Sequence, residues 1–188
     1  MSNHMNCAMR AAATIATAML LFAGCASTSI PFMRLAPDYS ELPAAALQTL
    51  AEGIETAVAQ EDRDYVPVNQ DGVTAGSEAI RQAIRQRAAR RALVVGLLDA
   101  GHASEMASGM IALQTGSTYA KATNKRERDR NALVVYSENQ NRWTIYEGIV
   151  KASNFPPRSL SAVQDSFFRA RLQHLKPEHK RETAPSPS

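Results

Sequence analysis

The apolar stretch that ends at Cys25 places the strongest constraint on what this chain can fold into. Arg10 precedes the apolar run 11–23, and Leu21-Phe22-Ala23-Gly24-Cys25 places small residues directly before a cysteine. This pattern predicts a lipoprotein signal peptide over 1–24, cleaved before Cys25, whose thiol then takes up lipid. The alternative is an ordinary secretory signal with a cysteine close to the cut. The run is about 20 Å long as a helix, too short for a bilayer core of about 30 Å.

Cleavage at this point leaves a single domain that must fold without disulfides. The remaining 164 residues fall in the size range of one domain. Cys7 lies in the removed segment and Cys25 would be acylated, so no thiol is left for a disulfide in an oxidising compartment. The net charge of the full chain is only +3. Because the chain is nearly neutral and exported, nucleic acid is not an expected partner.

The residues after the cysteine predict where the protein is held. Position 26 is Ala rather than the Asp that signals retention at the inner membrane of Gram-negative bacteria. We therefore expect the periplasmic face of the outer membrane, with the lipid on Cys25 as the anchor. The stretch 25–41 contains Pro31 and Pro37 and has no helical period, which is typical of a tether.

Apolar residues at steps of three and four predict an all-α domain over 42–175, with about four helices in a small bundle. The predicted helices cover about 42–60, 77–100, 124–153 and 159–175. Ser77 and either Thr123 or Asn124 are expected N-caps, and Gly101 is expected just beyond the end of the second helix. One long Gly- and Ser-rich loop, 101–118, joins the second helix to the third. The polar residues 176–188 predict a disordered tail.

The third predicted helix carries the single Trp of the chain and two of its five Tyr residues. Its apolar and aromatic positions recur at helical spacing, which predicts that they face the core. The positions in step are Leu133, Tyr136, Gln140, Trp143, Tyr146 and Val150, of which only Gln140 is polar.

Two segments of the chain, 101–109 and 138–146, resemble the YdbL-like family of small exported domains of unknown function. The resemblance implies a non-catalytic envelope protein, associated with AsmA-like machinery that moves lipid between two membranes. It covers about 93–171, and the lipoprotein signal and the helix 42–60 depart from the family pattern. The matching positions are Gly101, Glu105, Gly109, Glu138, Asn139, Arg142 and Tyr146.

Charged residues within these segments suggest specific interactions. Glu138 and Arg142 are four residues apart, in the order that favours an ion pair, and Tyr146 lies one turn further along the same face. This stripe predicts a docking surface, a buried polar clamp or a structural set of hydrogen bonds between helices. Glu105 could serve as a general acid against peptidoglycan, but its polar, glycine-flanked loop predicts no desolvation that would raise its pKa. We expect it instead to cap a helix or to hold the loop to the arginine-rich second helix.

The second predicted helix is rich in arginine. Arg81 and Arg85 share one face and form a candidate anion-binding strip, while Arg87 and Arg91 share another. The alternative is a solvated face with ion pairs to acidic residues elsewhere. The three histidines after residue 100 are far apart, so we predict no metal site, no cofactor and no catalytic residue.

Taken together, these patterns predict a lipid-anchored envelope protein that binds a partner protein and is not an enzyme, accessory to a lipid-transport or envelope-maintenance complex. Two alternatives stay open. One is a peptidoglycan-active enzyme that uses Glu105. The other is a binder of anionic lipid or lipopolysaccharide through the arginine-rich helix.

Overall fold

A computed structural model describes residues 36–180, which belong to one compact unit. This part of the chain is mostly helical, as the sequence predicts, with a single two-stranded sheet. The helices and strands are α1 (Ala44–Ala59), α2 (Glu78–Asp99), β1 (Ala103–Glu105), β2 (Ile111–Leu113), α3 (Ser117–Ala122), α4 (Lys125–Ala152) and α5 (Leu160–Leu172). Short 3₁₀ turns cover Pro157–Ser159 and Pro177–Lys180. The signal segment and Cys25 lie outside the described residues.

Local capping fixes the ends of the long helices. Ser77 accepts a hydrogen bond from the backbone N–H of Ile80. Asn124 and Glu127 form a reciprocal capping box at the start of α4. At the end of α2, Gly101 adopts φ +65° and the N–H of His102 donates to the carbonyl of Leu97, which is the hydrogen bond of a Schellman motif. The predicted N-caps and the predicted end of α2 are therefore confirmed.

The stretch predicted as one long loop is more ordered than its composition suggests. β1 and β2 pair as an antiparallel hairpin in which Ser104 lies opposite Ala112, and the short helix α3 follows. The hairpin was not predicted because only one of its two strands, Ile111–Leu113, lies in an apolar run. Its partner strand, Ala-Ser-Glu, has no apolar pattern that marks it.

Two apolar clusters form the core, one at each end of the antiparallel pair α2 and α4. The larger cluster combines α1, α5, the first half of α2 and the last half of α4. The smaller cluster combines the last half of α2, the hairpin, Val135 and Leu175. The charged residues Arg87, Glu138 and Arg142 lie between the two clusters along α2 and α4. The bundle thus has a polar layer in the middle of its core.

The predicted phase of α4 was wrong for part of its length. Leu133 and Tyr136 are 66% and 63% exposed, and Trp143 is 38% exposed, whereas Tyr146 is fully buried. The buried face of α4 includes charged and amide side chains, so a pattern of apolar residues marks the wrong side of its first half. The residues buried there are Asn131, Val135, Glu138, Asn141 and Arg142.

The domain extends beyond both of its predicted limits. Tyr39, predicted to belong to the tether, donates a hydrogen bond to Asp165 at 2.8 Å and contacts Ser166 on α5. His179 is buried at the other end, although a disordered tail was predicted from residue 176. Both ends are held by contacts with distant residues, which composition does not reveal.

A pair of glycine substitutions tests the packing of α2 against α4. A Cβ on Gly148 would lie 2.8 Å from Cγ1 of Ile80, closer than carbon atoms approach without displacement. We expect Gly148→Ala to lower the free energy of unfolding by about 1–3 kcal/mol, because the core must shift to accept it. Gly96→Ala is the control, since no atom lies within 4 Å of its new Cβ. It should raise stability by up to about 1 kcal/mol through helix propensity. Urea unfolding followed by circular dichroism distinguishes the two, and equal effects would contradict the close α2–α4 contact.

Candidate functional site

Six charged side chains meet at the centre of the domain and form a closed ring in which glutamate and arginine alternate. They come from five elements, and none is more than 4% exposed. In order around the ring they are Glu55, Arg87, Glu138, Arg142, Glu105 and Arg171. We call this set the Glu/Arg ring.

The first half of the ring joins α1, α2 and α4. Arg87 donates to both carboxylate oxygens of Glu55 at 2.9 Å, the two-pronged geometry in which Arg–carboxylate bonds are strong. Its Nε donates to Glu138 at 2.9 Å. Arg142 donates to the same oxygen of Glu138 across one turn of α4, so the predicted ion pair is present. Arg90 binds the second oxygen of Glu138 from the edge of the cluster.

The second half joins the hairpin to α4 and α5. Arg142 donates to both oxygens of Glu105, at 2.7 and 2.9 Å. Arg171 donates through Nε to Glu105 at 3.1 Å and through Nη1 to Glu55 at 2.8 Å, which closes the ring. Every guanidinium nitrogen of the three ring arginines therefore has an acceptor. The three carboxylates and three guanidinium groups balance one another in charge.

The hairpin turn is fastened to the ring through the carbonyl oxygen of Gly109. This oxygen accepts hydrogen bonds from Arg142 at 3.1 Å, from Arg171 at 2.9 Å and from the hydroxyl of Tyr146 at 2.9 Å. Gly109 has φ +79°, and a Cβ there would lie 3.1 Å from the Tyr146 hydroxyl and 3.2 Å from the carbonyl oxygen of Gln164. Only glycine fits this conformation and this close approach without strain.

Asn139 fastens the same hairpin by a different contact. Its amide accepts from the backbone N–H of Ile111 and donates to the carbonyl of Ile111, both at 2.9 Å. The side chain therefore satisfies the outer edge of β2 as a neighbouring strand would. Of the residues that carry the family resemblance, Gly109, Asn139 and Tyr146 lie against the ring or the hairpin, while Gly101 ends α2 outside this cluster.

The electrostatics of the ring favour the charged form of every member. Burial alone would raise the pKa of Glu55, but Arg171 and Arg87 outweigh it and lower that pKa to about 2. Burial opposes the same outcome at Glu105 and Glu138, where the neighbouring arginines also hold the carboxyl pKa below its ordinary value. The carboxylates in turn raise the pKa of Arg87, Arg142 and Arg171 against the effect of burial.

This environment is unsuited to a general acid at Glu105. The sequence predicted a polar loop without desolvation, and that was wrong, because Glu105 is on β1 and only 4% exposed. A general acid in a glycosidase needs a raised pKa and access to the substrate. Glu105 has a lowered pKa and both of its oxygens bind arginine. It holds the hairpin to α4 and α5, not to the arginine-rich helix as predicted.

The candidate anion-binding residues lie apart from the ring. Arg81 pairs with Glu78 at 2.6 Å, and Arg85 donates to the carbonyl of Arg63 and to Gln82. Both are on the solvent-facing side of α2. Arg87, by contrast, is buried in the ring, so the alternative of a solvated face fails for it, while the ion pairs that this alternative included are present. Charge density in the sequence did not distinguish these two environments.

Three members of the ring were missed by sequence reasoning, namely Glu55, Arg87 and Arg171. Each lies in phase with buried apolar residues of its helix: Glu55 is one turn beyond Ala51, Arg87 one turn beyond Ile84, and Arg171 one turn beyond Phe167. A charged residue at a core-facing position is unusual, and one occurs in each of these three helices. That pattern could have revealed the ring from the sequence.

No group of three or more His, Cys, Asp or Glu side chains is placed within residues 36–180 to hold a metal ion. No helix in this part of the chain is both long enough and apolar enough to cross a membrane. Comparison of the chain with family models, curated proteins and solved structures gave no match.

The lowered pKa of Glu55 predicts how stability depends on pH. The carboxyl pKa is about 2 in the folded protein and near 4.5 when unperturbed, so its contribution is present above about pH 4.5 and lost as the pH falls through 2. That contribution is about 3 kcal/mol. We expect the free energy of unfolding to fall steeply between about pH 5 and pH 2. In Glu55→Gln it should be lower at pH 7 by about 3 kcal/mol or more and should change less with acid.

Urea unfolding at a series of pH values measures both the loss of stability at pH 7 and the dependence of stability on pH. Glu52→Gln is a matched control on the same helix, since Glu52 bonds only to Gln48 and Gln173 near the surface. It should change stability by less than about 1 kcal/mol. Equal losses from the two substitutions would show that the ring is not a special determinant of stability.

Proposed function

We propose that the protein is a lipid-anchored binding protein of the bacterial envelope, held at the outer membrane through Cys25, with no catalytic role of its own. Its partner is an envelope protein, which the YdbL-like resemblance links to machinery that moves or maintains envelope lipid. The lipoprotein signal supports the location. The observation that carries the binding role is an exposed row of large side chains on α4.

The exposed row consists of Leu133, Tyr136, Gln140 and Trp143. Their spacing of three, four and three residues places them side by side on one face of α4. Large apolar and aromatic side chains that stay in solvent are typical of protein interaction sites, where tyrosine and tryptophan contribute most of the binding energy. Asn139, on the same side of the helix as Tyr136 and Trp143, fastens β2 beside them. The row therefore projects from a rigid support.

The residues of the family resemblance have a different part in this proposal. Glu138 and Arg142 are buried in the Glu/Arg ring, so they cannot touch a partner directly. They hold α4 and the hairpin in the arrangement that presents the row. A Glu138→Ala, Arg142→Ala double variant would consequently report on folding, and the exposed residues are the ones to alter in a test of binding.

The anchor is tested by changing the lipidated residue. We expect the native protein to carry the acyl mass and to sediment with the outer membrane, and Cys25→Ser to lose both properties. Intact-mass measurement and membrane fractionation of cells that express each form give the answer. If the native protein is unmodified and stays in the soluble fraction, the lipoprotein proposal is wrong.

The docking surface is tested by placing a photocrosslinking amino acid at position 136. Position 66 is the matched control, because Tyr136 and Val66 are similarly exposed, at 63% and 59%, on different parts of the surface. We expect a discrete crosslinked partner from position 136 in intact cells, none from position 66, and loss of the 136 product in Leu133→Ser. Equal products from both positions, or none from 136, would contradict docking on the exposed row.

A further inference from the structure

Three helices of the described residues contain a glycine in their interior, and one of these glycines has no packing reason. Gly53 faces the hydroxyl of Tyr65, 2.6 Å from the position of a Cβ, and Gly148 faces Ile80 at 2.8 Å. Both must be small for their neighbours to fit. Gly96, on α2, has no atom within 4 Å of that position. It nevertheless costs α2 about 1 kcal/mol relative to alanine.

Gly96 lies on the wall of a half-open cleft between α2, the start of the hairpin and the first turns of α4. The cleft has a volume of about 310 Å³, at the lower end of the range for small-molecule sites. Its apolar surface comes from Ala92, Gly96, Leu97 and Val134. A side chain larger than glycine at position 96 would project into the open space. The glycine is thus explained by the cleft it keeps open.

Polar groups with unused hydrogen-bonding capacity line the same cleft. The ring of His102 packs edge-on against Tyr119, and neither of its nitrogens has a hydrogen-bond partner among residues 36–180. Asn131 is 95% buried and its Nδ2 donates to Tyr119, but its Oδ1 accepts no hydrogen bond within the same range. Arg130 lines the cleft and makes no ion pair there. A guanidinium group and an imidazole ring thus border an apolar cleft, and a few polar groups on an apolar wall are the usual composition of a small-molecule site.

The charged residues around the cleft determine which sign of charge a ligand there would carry. Glu127 also lines it, but one of its oxygens accepts from the backbone of Asn124 and completes the cap of α4. Asp129 lies 3.8 Å from Lys125. The segment 121–130 contains five basic and two acidic residues, so the local potential is positive. An arginine at the mouth of an apolar cleft suits a carboxylate joined to a short apolar chain.

We propose that this cleft binds a small aliphatic carboxylate, with the chain against Gly96 and Leu97 and the carboxylate on Arg130, beside His102. The site is separate from the Glu/Arg ring and from the exposed row of α4. It does not rest on the proposed function, since neither lipidation nor a protein partner is needed for it.

Photolabelling of the full chain tests the site without knowledge of the natural ligand. The probe is an octanoate that carries a diazirine on its chain, added to the purified protein in phospholipid nanodiscs. We expect labelling in the two tryptic peptides that contain most of the lining, Ala92–Lys121 and Asn131–Arg142. Excess octanoate should compete for this labelling. The matched octanol probe, which lacks the charge, should label about tenfold less, as expected for a lost charge-assisted hydrogen bond.

Two pairs of variants separate the site from general surface effects. Arg130→Gln should reduce labelling by about tenfold, whereas Arg126→Gln, one turn away and outside the lining, should leave it unchanged. Gly96→Leu should abolish labelling by filling the cleft. Gly96→Ala, which circular dichroism should show to be at least as stable as the native chain, should reduce it in part. Equal labelling by octanoate and octanol, equal effects of the two arginine variants, or undiminished labelling in a folded Gly96→Leu would each overturn the proposal.

Discussion

Three carboxylates and three guanidinium groups at the centre of the domain require partners from five different elements. Removing one charged group from water costs several kcal/mol, and only a partner with good geometry offsets that cost. Glu55 on α1 depends on Arg87 and Arg171, and Glu105 on β1 depends on Arg142 and Arg171. An arrangement that lacked any one element would leave a buried charge unpaired. The Glu/Arg ring therefore couples the positions of all the long helices and the hairpin.

We infer that the ring selects between arrangements rather than adding stability beyond what an apolar layer of the same volume would give. Leucine or methionine at the same positions could bury as much surface, because a buried ion pair often contributes no more than a well-packed apolar pair. An apolar layer, however, would allow α2 and α4 to pack in more than one register, since similar apolar side chains would recur on each turn of both helices. The charged layer lies between the two apolar clusters and fits in one register only. In a domain whose described residues contain no cysteine, this is a physical means of fixing one topology.

What could be predicted from the sequence follows from how local each interaction is. The helices, their caps and the Glu138–Arg142 pair depend on residues within four positions of one another, and the predictions there were confirmed. The ring as a whole depends on partners that, apart from Glu138 and Arg142, lie between 32 and 116 residues apart. A hydropathy pattern counts Arg87 as a surface residue, and it counts Trp143 as a core residue. Both assignments were wrong because a charged face, not an apolar one, is turned inward at the middle of α4.

The division between ring and surface also determines where binding can occur. Every guanidinium nitrogen of the ring arginines already has an acceptor within the domain, and the ring is closed off from solvent, so a ligand or partner has no access to it without breaking existing bonds. The exposed row and the Gly96 cleft have the opposite character, since their apolar surfaces are open to solvent and available to a partner or ligand. Leu97 belongs to both the cleft wall and the smaller apolar cluster. A ligand in the cleft would therefore add contacts to the smaller and less extensive part of the core, while the ring holds the rest of the bundle unchanged.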